Sequence, residues 1–381
     1  MKLIQKTLVA AATTLAMLAA TPALADVNIG ISLSLTGPGS GLGIPMQNYF
    51  KLWPNTIAGE KLNVIILDDA TDPTKGVQNA RRFVTEDKVD IIIGSAATPV
   101  AIPIADVAAE SGTVQLAASP IGLPPGKDAW SFRLPQSNVV MAHAMVELMK
   151  KQGVKTIGFL GYTDAYGEQW LSAITAEGEK NGIKVVATER FARSDTSVTA
   201  QALKLTAANP DAMLIVASGS GAAMPHKAVV ERGYKGKIYQ THGVANADFL
   251  RVGGKDVNGT LLPAGPLLVA AQLPDTNESK KVALEYTKMY EGKHGAGSLS
   301  TFGGHAFDTY LILSAAIPEA VKKAKPGTPE FRAALRDAVE NVKNLKATHG
   351  VFNMSSQDHN GLDQRARVMV RIDNGQWKLA Q

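Results

Sequence analysis

From Asp26 onward, short β-branched runs alternate with segments of helix length, and this alternation limits the possible folds more than any other feature of the chain. Such a pattern builds parallel sheets with helices on both faces, the α/β class. Strands are expected at 27–33, 62–67, 89–93, 113–118, 156–160, 184–188, 212–216 and 237–240. Several are apolar throughout, as strands covered on both faces must be. Asp72-Pro73 supplies the N-cap and first-turn proline of a helix whose Val77, Ala80 and Val84 form a buried stripe. Ser137 or Asn138 starts another, stopped by Gly153, with Val139, Ala142, Val146 and Met149 on one face and the methionines as core filler. Helices are expected at 276–291, 301–323 and 329–341, the last two separated by Lys325-Pro326-Gly327. Short strands around 351–354, 366–372 and 376–379 follow, with hairpin signals at Asn360-Gly361 and Asn374-Gly375.

A chain of 381 residues is long enough for two domains. No repeat and no Gly/Ser tether is present, so two α/β lobes would be joined by several crossing strands that act as a hinge. With 45% hydrophobic and 19% charged residues, disorder and a polytopic membrane protein are both excluded. The net charge of +5 is spread along the chain without a block of like charge, so nothing calls for nucleic acid, while mild basicity favours anionic small molecules.

Residues 1–25 have the pattern of a secretory leader. Lys2 and Lys6 precede an apolar run over 7–20 that is shorter than the roughly 20 residues needed to span a bilayer, and Ala23-Leu24-Ala25 follows. Cleavage after Ala25 and export to a bacterial periplasm are expected. There is no Cys, so neither a disulfide nor a lipidated N-terminal cysteine is available.

The common catalytic signatures fail. No stretch supplies a phosphate loop, an H-E-x-x-H or a G-x-S-x-G. In the glycine-rich stretch 37–43, Leu42 stands where a dinucleotide loop needs its third glycine. His143 shares a helix face with Glu147 and Lys151 and reads as a surface residue. Asp358 to Asp363 lacks the spacing of a calcium loop and is better explained as a hairpin turn. No enzyme activity, cofactor or metal is expected.

Six short motifs together resemble one family. Ile29-Gly30-Ile31 with Leu35-Thr36-Gly37-Pro38, Leu67-Asp68-Asp69-Ala70-Thr71-Asp72-Pro73, Ile93-Gly94 with Ala118-Ser119-Pro120, Tyr166-Gly167-Glu168, Gly243-Val244 and Ala306-Phe307-Asp308 are similar, in order and spacing, to the branched-chain amino-acid-binding proteins of ABC importers, the type I periplasmic binding proteins. The resemblance implies two doubly wound, Rossmann-like lobes joined by a three-crossing hinge, a ligand held between them, and delivery to a permease and its ATPase by a monomer. It places lobe one at 26–136 plus 265–346 and lobe two at 137–264 plus 347–381.

Thr98-Pro99 opens a helix after the strand at 89–93, so its hydroxyl and a positive helix end face the cleft, where a carboxylate fits; alternatively Thr98 is only an N-cap. Ser119, Ile121 and Leu123 match the family's second ligand loop. Tyr166 matches a tyrosine that closes over the ligand, or else packs internally. Two positions depart from the family. His242 stands where amino-acid binders carry an acid that receives the ligand's ammonium, and Leu123 where they carry Thr. A buried ammonium without acceptors costs several kcal/mol. An acid lacking the amine fits better: Ile121, Leu123 and Tyr166 as an apolar slot, Ala96, Ala97 and the Ser218-Gly219-Ser220-Gly221 turn as room for a ring, and His242 on a distal hydroxyl or second carboxylate, or at the rim. Thr71 and Ala97 occupy the positions of a disulfide in leucine-type relatives, and both are replaced here. An aromatic acid such as a benzoate derivative is the expected ligand; a branched-chain or other hydrophobic amino acid, a ligand-sensing regulator of the same fold and an exported hydrolase are the alternatives.

Overall fold

The apolar runs become the central strands of two sheets. In the computed structural model, which describes residues 26–380, β1 (Val27–Leu33), β2 (Thr56–Ile57), β3 (Glu60–Asp68), β4 (Ile91–Gly94), β5 (Val114–Ala117) and β6 (Ser131–Arg133) form one sheet, ordered β2-β3-β1-β4-β5-β6. Its pairs are parallel apart from β2 with β3. The expected leader and its cleavage site lie outside the described residues. The second sheet contains β7 (Thr156–Tyr162), β8 (Lys184–Phe191), β9 (Ala212–Val216), β10 (Lys237–Gln240), β11 (Leu261–Ala264), β14 (Val368–Asp373) and β15 (Gln376–Leu379), ordered β15-β14-β11-β10-β9-β7-β8. It is parallel through β11, and β14 and β15 add antiparallel. Between them in sequence, β12 (Leu345–Ala347) and β13 (Gly350–Phe352) form a separate hairpin.

Both faces of the first sheet are covered, which explains why its central strand β4 is apolar at every position. Ile91 and Ile93 enter the core under α1 (Ser40–Phe50), α10 (Thr301–Val321) and α11 (Pro329–Glu340). Ile92, pointing the other way, packs with Phe83 of α2 (Pro73–Thr85) and Val100 and Ile104 of α3 (Thr98–Ser111). Asp72 caps α2, accepting from the Thr74 and Lys75 N–H groups, with Pro73 in the first turn. Ala80 is fully buried as expected, whereas Val77 and Val84 only flank the stripe and Phe83 fills it.

The second lobe adds α4 (Asn138–Lys151), α5 (Ala165–Lys180), α6 (Thr199–Ala207), α7 (Ala223–Glu231) and α8 (Ala247–Gly253), and α9 (Lys280–His294) packs on the first lobe through Ala283, Tyr286 and Tyr290. Ser137 caps α4 by accepting from the Val140 N–H. Met141, Met145 and Met149 fill the core, but Val139, expected on the buried face, is 61% exposed because it sits in the first turn, beyond the edge of the core. His143 is at the surface, bonded to Glu177 at 2.7 Å. Among the described residues no helix is long and apolar enough to cross a membrane.

Asn374-Gly375 turns β14 into β15. Asn360-Gly361 makes no such hairpin, since β13 pairs back on β12 and β14 belongs to the other sheet. Instead Asn360 Nδ2 donates to the carbonyls of Arg133 and Pro135, and His359 stacks on Phe132 at 4.1 Å, pinning β6. Ala347, Phe352, Met354, Leu362 and Ala366 are buried in the first lobe's core. We therefore place the third crossing between Ala366 and Val368 rather than at 346/347; the others run between Leu134 and Met141 and between Ala264 and Ala283.

Candidate ligand-binding cleft

Open α/β sheets bind ligands beyond the C-terminal ends of their strands, near the point where strand order reverses. Those ends in both sheets face one cavity. On the first lobe, fully buried Asp69, after β3, accepts from the hydroxyls of Ser32, Ser34 and Ser95 at 3.2, 2.7 and 2.7 Å and from the Thr71 N–H. Ser95 in turn accepts from the Ala97 N–H, fixing the loop that carries Ala96, Ala97 and Thr98 to the cavity wall. Thr98 is the first residue of α3, and Ala97 is the cap position, so the Thr98 hydroxyl does not cap the helix. Ala118 and Pro120 flank Ser119 and also line the wall, as do Leu42, Phe302 and His305 from the starts of α1 and α10.

On the second lobe, β7, β8, β9 and β10 deliver Tyr166, Arg193, Ser218 and His242 respectively. The Arg193 guanidinium lies 4.0 Å over the Tyr162 ring, donates from Nε to Asp164 at 2.6 Å and from an Nη to Ser218 at 2.9 Å. Two of its five N–H donors are thus engaged, and the others remain for a ligand. Asp164 also caps α5, so the cleft arginine is anchored to a helix end. The Tyr166 hydroxyl bonds Thr241 at 2.7 Å; its ring lines the cavity while its oxygen is committed internally.

Four polar atoms at or beside this cavity are buried without a partner in the protein: Thr98 Oγ1, Ser119 Oγ, His242 Nδ1 and His305 Nδ1. Leaving such groups unmade costs about 1–3 kcal/mol each, so their convergence marks a place built to receive hydrogen-bonding atoms. The cavity itself measures about 20 Å³, room for about one water, so entry of an organic molecule requires the lobes to part. A larger groove of about 550 Å³ shares only Pro120 with it and borders none of the four atoms.

Of the residues expected at the site, Ala97, Thr98, Tyr166, Ser218 and His242 line the cavity, and Ser119 lies between two lining residues. Ile121, Leu123 and Ser220 do not line it. Ile121 turns away into a small cluster with Ala101, Ala105 and Ala117, with Leu123 packed on that cluster, and Ser220 sits half-buried on the turn over Gly41. Leu42, Ala118, Pro120 and Phe302 are the apolar walls in their place. Arg193 and His305 were not expected. The signal available for Arg193 is its position just beyond the C-terminal end of a parallel strand.

The family model described as Periplasmic binding protein matches residues 26–376. The chain belongs to the periplasmic binding protein family. It is similar to Leu/Ile/Val-binding protein homolog 3 of Brucella melitensis, 27% identical over 350 residues that cover 88% of this chain and 89% of that one. An extracellular ligand-binding receptor from Rhodopseudomonas palustris HaA2 superposes with a TM-score of 0.92 at 44% identity, covering 93% and 100% of the two chains. A solute-binding protein of an R. palustris ABC transporter, solved in complex with benzoate, superposes at 0.78 with 18% identity, covering 93% and 95%. Binding proteins of this family take small molecules and work with ABC transporter permeases.

Behind the cleft of this binding protein, His305, Asp308 and His349 bring three metal-type ligands close together. The atoms of Asp308 and His349 are already occupied: His349 Nδ1 meets Asp308 and Thr348 at 2.8 Å each, and His349 Nε2 meets Thr301 at 2.6 Å. Asp308 and His349 are a hydrogen-bonded pair on which His305 stacks, with Asp308 raised to about 7 and His349 lowered to about 3 by burial. Burial likewise lowers His242 to about 3 and His305 well below its ordinary value, so both cleft imidazoles are neutral.

Proposed function

We propose that this protein is the solute-binding component of an ABC importer, exported by cleavage after Ala25, and that it captures a small organic carboxylate without an ammonium group, an aromatic acid such as a benzoate derivative above others. It acts as a monomer and passes its ligand to a permease and ATPase. One observation carries the ligand reading: Arg193 and the free hydroxyl of Thr98 line the cavity, beside that of Ser119, and no carboxylate side chain lines it. A carboxylate brought between the lobes gains charge-assisted hydrogen bonds there, whereas an α-ammonium would be buried with no acidic acceptor. Contacts from both lobes supply the differential affinity that populates the closed arrangement. The likeness to the Brucella Leu/Ile/Val-binding protein homolog favours a branched-chain amino acid, and the likeness to the benzoate complex favours an aromatic acid.

A thermal-shift screen of the chain from Asp26 tests the two readings directly. At a hundred times its Kd a ligand adds about 2.7 kcal/mol of apparent stability. Benzoates are expected to raise the melting temperature, with leucine, isoleucine and valine inert; the reverse pattern would overturn the proposal.

A further inference from the structure

The four unpartnered atoms fall into two chemically different pairs. Thr98 Oγ1 and Ser119 Oγ follow neighbouring strands of the first lobe. His242 Nδ1 and His305 Nδ1 come from opposite lobes, one after β10 and the other from the first turns of α10. We propose that His242 and His305 form a second polar subsite that takes a hydroxyl group, so that the ligand is a hydroxylated aromatic carboxylic acid. This rests on the carboxylate reading above and adds to it what the other end of the ligand must be.

Both rings are held before any ligand arrives. His305 lies against His349, ring centroids 3.8 Å apart, and His349 is locked by Asp308 and Thr301. His242 sits 5.8 Å from the Trp170 ring, on a turn capped by Thr241, whose hydroxyl is itself fixed by Tyr166. Both rings line the one small cavity, where no carboxylate stands to stabilise an imidazolium. Each neutral imidazole carries one N–H and one lone pair. A hydroxyl matches such a pair because it accepts from one ring and donates to the other. A carbonyl can only accept, and a second carboxylate would be buried against two uncharged rings. The apolar walls of the same cavity, Leu42, Ala96, Ala118, Pro120 and Phe302, suit a ring.

Calorimetry with the three hydroxybenzoates and the three methylbenzoates of the same shape reads the subsite. One hydroxybenzoate is expected to bind about 100-fold tighter than its methyl counterpart, since a site built around a hydroxyl leaves its own groups unpaired without one. His305→Phe and His242→Phe should each cut that preference to a few-fold, read as the ratio of hydroxybenzoate to methylbenzoate affinity in the same variant, so that a loss common to both ligands cancels. Equal binding of every hydroxyl and methyl pair by the unmodified protein overturns the subsite and leaves the carboxylate reading standing. No binding of any benzoate overturns both.

Discussion

The imidazoles of His305 and His349 lie face to face, their planes 21° from parallel, with one ring bordering the cleft and the other the hinge. The carbonyl of His349 accepts from Gln136 Nε2 at 3.0 Å, and the same nitrogen donates to the Ala366 carbonyl at 2.7 Å. Gly265, on the second crossing, packs so tightly that a Cβ there would stand 2.8 Å from both Gln136 Nε2 and the His349 ring. One buried amide therefore ties together the three crossings, a single stacked ring away from the ligand cavity.

Gln136→Leu tests that knot. It keeps the volume but strips a donor from two buried carbonyls, each costing about 1–3 kcal/mol when unpaired. Urea unfolding should show a loss of about 2–4 kcal/mol. A loss below about 0.5 kcal/mol would mean that packing alone holds the crossings.

The lobes also touch through Gln169, whose amide exchanges two hydrogen bonds with the backbone of Gly122, both at 3.1 Å. These bonds join α5 of one lobe to the loop after β5 of the other, so they exist only while the cleft is shut. Gln169→Ala removes about 1–2 kcal/mol from closure at this partly exposed contact and nothing from either core. Small-angle scattering is expected to give a larger radius of gyration for the variant at an unchanged melting temperature; identical scattering curves would count against the clasp.

The sequence revealed the strands better than the site, for a physical reason. Ile91, Ile92 and Ile93 are apolar in succession because helices cover both faces, and a strand with one face in water would not carry such a run. β6 and β11 were missed: each is too short for a periodic signal, and Pro263 argues against a strand. Thr98 and His242 were legible because they follow strong strands. Ile121 and Leu123 were placed in the right loop but facing the wrong way, since local sequence does not say which side of a loop meets the other lobe. Arg193 and His305 depend on tertiary closure. The arginine follows a strand that runs to Phe191, three residues past the expected end at 188, and the histidine, on an apolar helix face, has the pattern of a packed core residue until the second lobe is brought against it.

Acid should weaken the fold. Burial lowers His226 to about 4, His242 to about 3 and His305 well below the ordinary value near 6.5. Between about pH 6.5 and 4 the unfolded chain therefore binds more protons than the folded one, and stability that is complete above 6.5 declines as pH falls through that window. Asp308, raised by burial, acts in the opposite sense, and its partner His349, lowered to about 3, offsets it. Each of the three other imidazoles contributes a slope of up to about 1.4 kcal/mol per pH unit. Denaturant titrations at pH 7, 6 and 5 should fall steadily, and His226→Gln, remote from the cleft, should remove part of the slope. A flat profile would show these rings to be hydrated in solution.

Arg193 decides whether the cleft reads charge. Its guanidinium is braced by Asp164 and Ser218 and stacked on Tyr162, so it is held in place before a ligand arrives and loses little entropy on binding. Arg193→Met keeps the stem and removes the charge, and benzoate affinity should fall about 100-fold or more, the scale of a charge-assisted bond in a closed site. Arg193→Lys restores a point charge without the planar fork and should recover only part of that loss. The neutral isostere benzamide separates recognition from bracing: the unmodified protein should prefer benzoate strongly, and Arg193→Met should bind the two alike. If the variant instead keeps the preference for benzoate, the anion is held by the α3 end and the hydroxyls of Thr98 and Ser119, and Arg193 serves only to anchor Asp164 at the start of α5.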